Sequence, residues 1–182
     1  MIIFTIGHST RDIEHFLALL EREGIRRLAD VRTLPASRRH PHFNRESLAA
    51  SLASAGIEYS HHPALGGRRP PRPDSPNAAW RNAGFRGYAD YMATPDFQRA
   101  LDELIHLGAA APTAVMCAEA VPWRCHRSLI ADALVARRIE VRHILDAKTA
   151  PHTLTRFAVL HDGYVSYPAE PHPAAEQEGL FD

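Results

Sequence analysis

Residues 116–127, Met-Cys-Ala-Glu-Ala-Val-Pro-Trp-Arg-Cys-His-Arg, are the stretch of this chain best equipped for chemistry. The reactive side chains in it are Cys117, Glu119, Cys125, His126 and Arg127. An apolar run, 113–116, precedes the stretch, and a helical apolar pattern follows it from Leu129 onward. This order predicts a buried strand, a loop, and a helix whose first turn carries residues 125–127. In open α/β sheets, ligands bind where a strand's carboxyl end meets a helix start.

These residue types leave three interpretations open. In the first, Cys117 is a nucleophile with Glu119 as its proton carrier, Arg127 steadies negative charge, and the helix N-terminus lowers the thiol pKa of Cys125. In the second, Cys117, Cys125 and His126 bind a zinc or iron ion, and His61 or His62 from the long loop 60–84 completes the four ligands. In the third, both cysteines simply fill the core. A tyrosine-phosphatase loop needs arginine six positions after its cysteine, and here Arg124 comes one position too late.

A second group of polar residues suits an anion. It follows the first two predicted strands, next to glycine and to free helix N–H groups that favour phosphate. The candidate phosphate-binding residues are Gly7, His8, Ser9, Thr10, Arg32, Arg38 and Asn44. Together with Cys117, they predict three neighbouring strand ends that face one ligand.

Charge is balanced overall but distributed unevenly. The chain has 21 basic and 21 acidic residues, and Lys148 is its single lysine. Arginines cluster between Arg32 and Arg86, and the guanidinium fork suits phosphate, so this region predicts a surface for a nucleic acid or a nucleotide. No apolar run is long enough to span a bilayer and no signal-peptide pattern is present, so we expect a cytoplasmic protein without a membrane partner.

The apolar periodicity predicts an α/β fold, a three-layer domain with a mostly parallel sheet, followed by a C-terminal hairpin and a disordered tail. The α/β domain is predicted to cover 1–150, with functional loops at 32–44 and 60–84. The hairpin extension covers 151–168, and the flexible tail covers 169–182. Ser9 or Thr10 is expected to cap the first helix, and Asn44 the second.

The tail carries a motif that predicts a protein partner. Gln177, Leu180 and Phe181 form the pattern Gln-x-x-Leu-Phe, which resembles the peptide by which bacterial replication and repair proteins dock on the sliding clamp. A flexible segment of this kind offers glutamine for hydrogen bonds and a Leu-Phe pair for an apolar pocket.

Several short motifs resemble one family along nearly the whole chain. They are Thr5-Ile6-Gly7-His8-Ser9, Asp30-Val31-Arg32, Leu65-Gly66-Gly67, Met116-Cys117-Ala118-Glu119 and Cys125-His126-Arg127. The pattern resembles that of the domain of unknown function 488 family of bacteria and archaea. This resemblance implies a single α/β domain with a marked cleft, and it implies no reaction.

The leading hypothesis is an enzyme acting on nucleic acid or a nucleotide, a hydrolase that removes a damaged base or cleaves a phosphoester in DNA repair. The clamp-like tail would recruit it to DNA. One alternative is a non-catalytic DNA-binding repair adaptor. Another is a small-molecule thiol- or metal-dependent enzyme of the sulfurtransferase or phosphatase kind.

Overall fold

The computed structural model describes residues 1–169, which build a six-stranded sheet with helices on both faces. The strands of the sheet are β1 (Ile2–Gly7), β2 (Arg27–Asp30), β3 (Glu58–His61), β4 (Thr113–Cys117), β5 (Glu140–Ile144) and β6 (Thr149–Pro151). Their order is β3-β2-β4-β1-β5-β6; the first five are parallel and β6 is antiparallel. A separate hairpin pairs β7 (Val159–His161) with β8 (Tyr164–Ser166). The predicted α/β class, mostly parallel sheet and C-terminal hairpin are confirmed.

Two cores separated by the sheet make the three layers. The helices are α1 (Ile13–Arg22), α2 (Arg45–Ser54), α3 (Ala83–Met92), α4 (Pro95–Ala110) and α5 (Arg127–Ala136). Helices α1 and α2 pack on one face, where Phe16 and Leu48 meet Met116. Helices α3, α4 and α5 pack on the other, where Tyr88 and Leu129 meet Val115. Alternate residues of β4 thus enter opposite cores, as strand geometry requires.

The register brings three strand ends to one place. Strand β4 lies between β2 and β1, with Cys117 opposite Gly7 and Met116 opposite Asp30. Pairing continues past the strands, because the His8 amide donates to the Cys117 carbonyl at 2.9 Å. The loops that follow β1, β2 and β4 therefore start side by side at the carboxyl edge of the sheet.

Several local predictions are corrected. Helix α5 begins at Arg127, so Cys125 and His126 precede it instead of forming its first turn; Pro122 starts a 3₁₀ turn that ends at Arg124. Neither Ser9 nor Thr10 caps α1: the cap is Asp12, whose carboxylate accepts from the His15 amide at 2.7 Å.

Asn44 occupies the cap position of α2, but its side chain accepts from the Ser37 amide at 2.6 Å and so closes the preceding loop instead of capping the helix. Strand β6 was not predicted, because three residues carry no measurable periodicity.

The segment after β5 is fastened to the core through a buried carboxylate. Asp132 of α5 is fully buried and accepts hydrogen bonds from the Tyr167 hydroxyl and from His152, each at 2.8 Å. His152 in turn accepts from His143, whose other ring nitrogen accepts from the Thr5 hydroxyl at 2.7 Å. These directions of donation apply when Asp132 is ionised and both rings are neutral, and every donor in the chain of contacts then has an acceptor. Within residues 1–169, no helix is long and apolar enough to cross a membrane.

Candidate active site

A cavity of about 710 Å³ opens at the carboxyl ends of β1, β2 and β4. Its floor includes Cys117 and Cys125, and its walls come from the loops after β2 and β3 and from the start of α3. The polar residues lining it are His8, Arg32, Thr33, Ser37, Arg68, Asn82, Glu119, Arg124 and His126. The three strand ends that were predicted to face a common ligand therefore border one cavity. Its volume is within the ~300–1,000 Å³ range of ligand pockets.

Cys117 and Cys125 are both free thiols, and their sulfur atoms lie 2.8 Å apart. Cys117 ends the buried strand β4 and is 2% exposed, whereas Cys125 follows the 3₁₀ turn and is 6% exposed. One guanidinium nitrogen of Arg127, Nη1, lies 3.1 Å from the Cys117 sulfur. The sequence predicted that the two cysteines lie near each other, but not that they touch.

Arg127 is a buried cation with no carboxylate partner. Its residue is 1% exposed, and it enters no ion pair with an acidic residue anywhere in the described chain. The guanidinium donates to the Glu119 and Ala120 carbonyls, each at 3.2 Å, and to Cys117. A buried charge is stable only when it is compensated, so the thiolate of Cys117 is the natural counter-ion of Arg127.

The ionisation of the two thiols follows from this arrangement. Burial opposes the thiolate of Cys117, but the hydrogen bond from Cys125 and the charge of Arg127 outweigh it and lower the Cys117 pKa from 9.0 to about 7. The Cys125 pKa is raised, because Cys125 donates its proton to Cys117 and is itself desolvated. The predicted lowering of the Cys125 pKa is therefore wrong: the activated thiol is Cys117.

Arg32 is held in the wall of the cavity by a second buried ion pair. Asp30 is fully buried at the end of β2, and its carboxylate accepts hydrogen bonds from Nη2 and Nε of Arg32, at 2.6 and 2.9 Å. It also accepts from the Tyr59 hydroxyl at 2.8 Å. A two-pronged contact of this type fixes the guanidinium plane. The remaining nitrogen, Nη1, lies 3.3 Å from Nε2 of His8.

His8 is a neutral acceptor toward Arg32. Its Nδ1 lies 3.0 Å from the Ser9 carbonyl, which can only accept, so Nδ1 carries the proton and Nε2 is free to accept from Arg32. Burial, above all, lowers the His8 pKa from 6.5 to about 4. The ring also stacks on Phe43, with the centroids 4.3 Å apart. His8 therefore positions Arg32 and does not add a positive charge.

His126 closes the other side of the cavity floor. Its Nδ1 lies 3.4 Å from the Cys125 sulfur, and its Nε2 is buried without a hydrogen-bond partner among the described residues. Desolvation and the nearby charge of Arg127 lower the His126 pKa to about 4. Gly67 packs directly on the ring: a Cβ built there would lie 2.4 Å from Nδ1, so only glycine lets this loop approach.

A second cavity of about 520 Å³ adjoins the first and shares His8, Ser37, Ala118 and Glu119 with it. Ser9, Thr10, Arg38 and Arg39 line this second cavity. The exposed arginines of the two cavities are Arg38, Arg39, Arg68 and Arg124. None of the four forms an ion pair with any residue from 1 to 169.

The remaining predicted site residues play other parts. Gly7 lines neither cavity; a Cβ there would lie 1.7 Å from the Glu119 carbonyl oxygen, so glycine is needed for the contact between two loops. Asn44 lines neither cavity, and its side chain accepts from the amide of Ser37, which lines both. The described part of the chain offers no group of three or more His, Cys, Asp or Glu side chains able to hold a metal ion. Gln177, Leu180 and Phe181 lie outside the described residues.

Sequence reasoning missed several residues of the site. Arg68 and Asn82 enter the wall of the cavity from the loop 60–84. The loop had been predicted to be functional from its length, but nothing in its composition indicates which side chains face inward. Asp30 and Tyr59 were also missed as the support of Arg32, although an acidic residue at the end of an apolar strand is a usable signal.

Comparison with known proteins gives one match. The family model described as domain of unknown function DUF488 matches residues 12–134, and no curated protein or solved structure matches the chain. The matched range contains Arg32, Cys117, Cys125 and Arg127, and begins after His8. A match over more than half of the sequence assigns the family, so this chain belongs to the DUF488 family.

Proposed function

We propose that this protein is a thiol-dependent hydrolase that acts on a phosphoester of a nucleotide or a nucleic acid. The observation that carries the proposal is a thiol whose counter-ion is a buried arginine, at the floor of a cavity bordered by unpaired arginines. A low thiol pKa supplies a nucleophile at neutral pH, and the exposed guanidinium groups supply binding sites for phosphate.

The two adjoining cavities support a substrate longer than one phosphate. Arg68 and Arg124 border the cavity that holds Cys117, and Arg38 and Arg39 border its neighbour. A phosphate over Cys117 would be held by the first pair, and the next phosphate of a strand by the second pair. Such contacts release counter-ions and make binding depend steeply on salt.

The reaction follows from the groups at hand. The Cys117 thiolate attacks phosphorus, so that an S–P bond forms while the P–O bond to the leaving group breaks. A solvent water protonates the leaving oxygen. Glu119, which lines both cavities, then accepts a proton from the attacking water and passes it to the hydroxide left by the first step. That water cleaves the S–P bond, which releases phosphate and restores the thiolate. Arg124 and Arg68 stabilise the charge on the phosphoryl oxygens.

The decisive experiment separates binding from turnover. Phosphate release is measured from mononucleotides and from single- and double-stranded oligonucleotides with 3′- or 5′-terminal phosphates. Cys117→Ser is expected to keep binding, measured by fluorescence anisotropy, and to lose turnover at least about a hundredfold. Acid-quenched wild-type protein should carry a phosphoryl label that the Cys117→Ser variant lacks. Salt-sensitive binding with no turnover in any substrate would instead indicate a non-catalytic adaptor.

The role of the arginines has a matched control. Arg38→Ala/Arg39→Ala is expected to weaken oligonucleotide binding and to lower the slope of log K against log salt by about two. Arg26 is also exposed but lies just before β2, at the opposite edge of the sheet. Arg26→Ala should leave both quantities unchanged. If Arg26→Ala changed the affinity and the salt slope as much as Arg38→Ala/Arg39→Ala does, binding would depend on the net charge of the protein and not on the arginines of the cavity.

The clamp partner and a cytoplasmic location remain part of this proposal. The pattern formed by Gln177, Leu180 and Phe181 supports recruitment to DNA through the sliding clamp. Isothermal titration of a peptide of residues 171–182 against a bacterial clamp tests it, with the Leu180→Ala/Phe181→Ala peptide as control. Absence of saturable binding removes the clamp from the proposal and leaves the hydrolase untouched. Free thiols fit the cytoplasm, where they stay reduced.

A further inference from the structure

We infer that Cys117 and Cys125 form a reversible disulfide, so that the site is a dithiol which an oxidant such as a peroxide switches off. The bond itself follows from geometry alone; its effect on turnover rests on the function proposed above.

Contact between the two sulfurs is the first argument. They lie 2.8 Å apart and are joined by a thiol hydrogen bond, so a shift of about 0.8 Å brings them to bonding distance. Cys125 follows a 3₁₀ turn whose neighbouring residues Trp123 and Arg124 are exposed. A turn at the surface can make this shift without disturbing the buried strand that carries Cys117.

The two cysteines have unequal chemical roles. The Arg127 guanidinium donates to the Cys117 sulfur, which favours the thiolate there and leaves the shared proton on Cys125. The Cys117 thiolate attacks one oxygen of the peroxide, so that an S–O bond forms, the O–O bond breaks, and the expelled hydroxide takes a proton to become water. Cys125 then attacks the Cys117 sulfur; the S–O bond breaks, the thiol proton leaves with the hydroxide as water, and the S–S bond forms. Two thiols and one peroxide thus give one disulfide and two waters.

Reversibility follows from Arg127. Oxidation removes the negative charge beside its buried guanidinium, which forms no ion pair with a carboxylate within residues 1–169. The oxidised state therefore leaves an unpaired buried charge, whereas reduction restores the pair. A disulfide that is strained or disfavoured in this way is easily reduced and belongs to the labile, regulatory class.

The direct test counts thiols by intact mass after alkylation under denaturing conditions. The chain has two cysteines, so the reading is unambiguous. Untreated protein should take two alkyl groups. Peroxide-treated protein should take none and be lighter by two hydrogens, and dithiothreitol should restore both thiols. Retention of both thiols after peroxide, or overoxidation of Cys117 while Cys125 stays free, would overturn the inference.

Variants test the separate roles. With Cys125→Ser, the Cys117 sulfenic acid should persist and be trapped by dimedone, which leaves the wild type almost unlabelled. Arg127→Met should shift the equilibrium with glutathione toward the disulfide by about tenfold or more, since the uncompensated charge is gone. Equal dimedone labelling of the wild type and Cys125→Ser would contradict the attack of Cys125 on the sulfenic acid. An equilibrium constant that Arg127→Met leaves unchanged would contradict the role of Arg127 in reversibility.

The two hypotheses fail separately. Disulfide formation is read from mass, without any substrate. A bond that forms in a protein without turnover refutes the proposed hydrolase alone, whereas turnover in a protein whose thiols never pair refutes the dithiol switch alone.

Discussion

The pairing of Arg127 with Cys117 can be measured through the pH dependence of thiol alkylation. A thiol with its ordinary pKa of 9.0 is about 1% ionised at pH 7, and one with a pKa of about 7 is about half ionised. Cys117 should therefore react with iodoacetamide at pH 7 far faster than an ordinary thiol does. The measurement is made in the Cys125→Ser variant, in which Cys117 is the only thiol and the serine hydroxyl still offers a hydrogen-bond donor beside it.

The perturbation is Arg127→Met in that background, which keeps the length of the side chain and removes its charge. A charge-assisted hydrogen bond contributes about 1.5–3 kcal/mol, which corresponds to about one to two pKa units. The inflection of the alkylation rate should therefore move from near 7 to about 8–9, and the rate at pH 7 should fall about 5- to 50-fold. The variant also loses the donor to the Glu119 and Ala120 carbonyls, so circular dichroism checks that it is folded before the alkylation is measured.

The matched control is Arg124→Met in the same background. Arg124 lines the same cavity and carries the same charge, but it is exposed and forms no hydrogen bond with the Cys117 sulfur. Its loss should move the inflection by much less than the loss of Arg127. An inflection that stays near 7 without Arg127, or that lies near 9 in both proteins, would refute the argument that the thiolate is the counter-ion of this guanidinium.

Three further predictions concern stability, each measured by urea unfolding. Burial lowers the pKa values of His8, His126 and His143 from 6.5 to about 4, so the unfolded chain binds more protons than the folded chain between these two pH values. The contribution of each ring to stability is therefore present above pH 6.5, and the free energy of unfolding should fall by about 2 kcal/mol for each ring between pH 7 and pH 5. A midpoint unchanged over this range would show that the rings are charged in the folded state. Gly7→Ala should cost about 3 kcal/mol or more, because the new methyl overlaps the Glu119 carbonyl and the backbone must move; a loss below about 1 kcal/mol contradicts this. Asp132→Asn should cost about 1–3 kcal/mol by placing an amide against donors, and a neutral effect would show that water replaces these bonds.

The strands other than β6, and the edge of the sheet that holds the candidate site, could be predicted from the sequence. Strands β1 and β4 are continuous apolar runs, as expected for strands buried on both faces, and the polar residues that follow them had to lie at one edge of a parallel sheet. The order of the strands matters as well, because it makes β4 the neighbour of both β1 and β2. Alternating helices and strands predicted a parallel sheet, but not this order.

The details of the site could not be predicted, because they depend on contacts between residues distant in space. The sequence indicated a lowered pKa for Cys125 from its expected position on a helix. The helix in fact begins at Arg127, whose side chain reaches back to Cys117 instead. Which cysteine is activated is decided by a side-chain direction that no periodicity encodes. The hydrogen bond from Tyr59 to Asp30, which helps to hold Arg32 in place, likewise connects residues of two strands that are 29 positions apart in the chain.

The placement of β1 has a consequence for how the family should be delimited. The recognisable similarity starts at residue 12, yet β1 ends at Gly7 and lies in the middle of the sheet, between β4 and β5. Excising residues 12–134 would strip β4 of one partner strand, discard β5 and remove His8 along with them. The stretch recognised by similarity is thus smaller than the cooperative folding unit, and recombinant fragments need the flanking residues on both sides to be self-supporting.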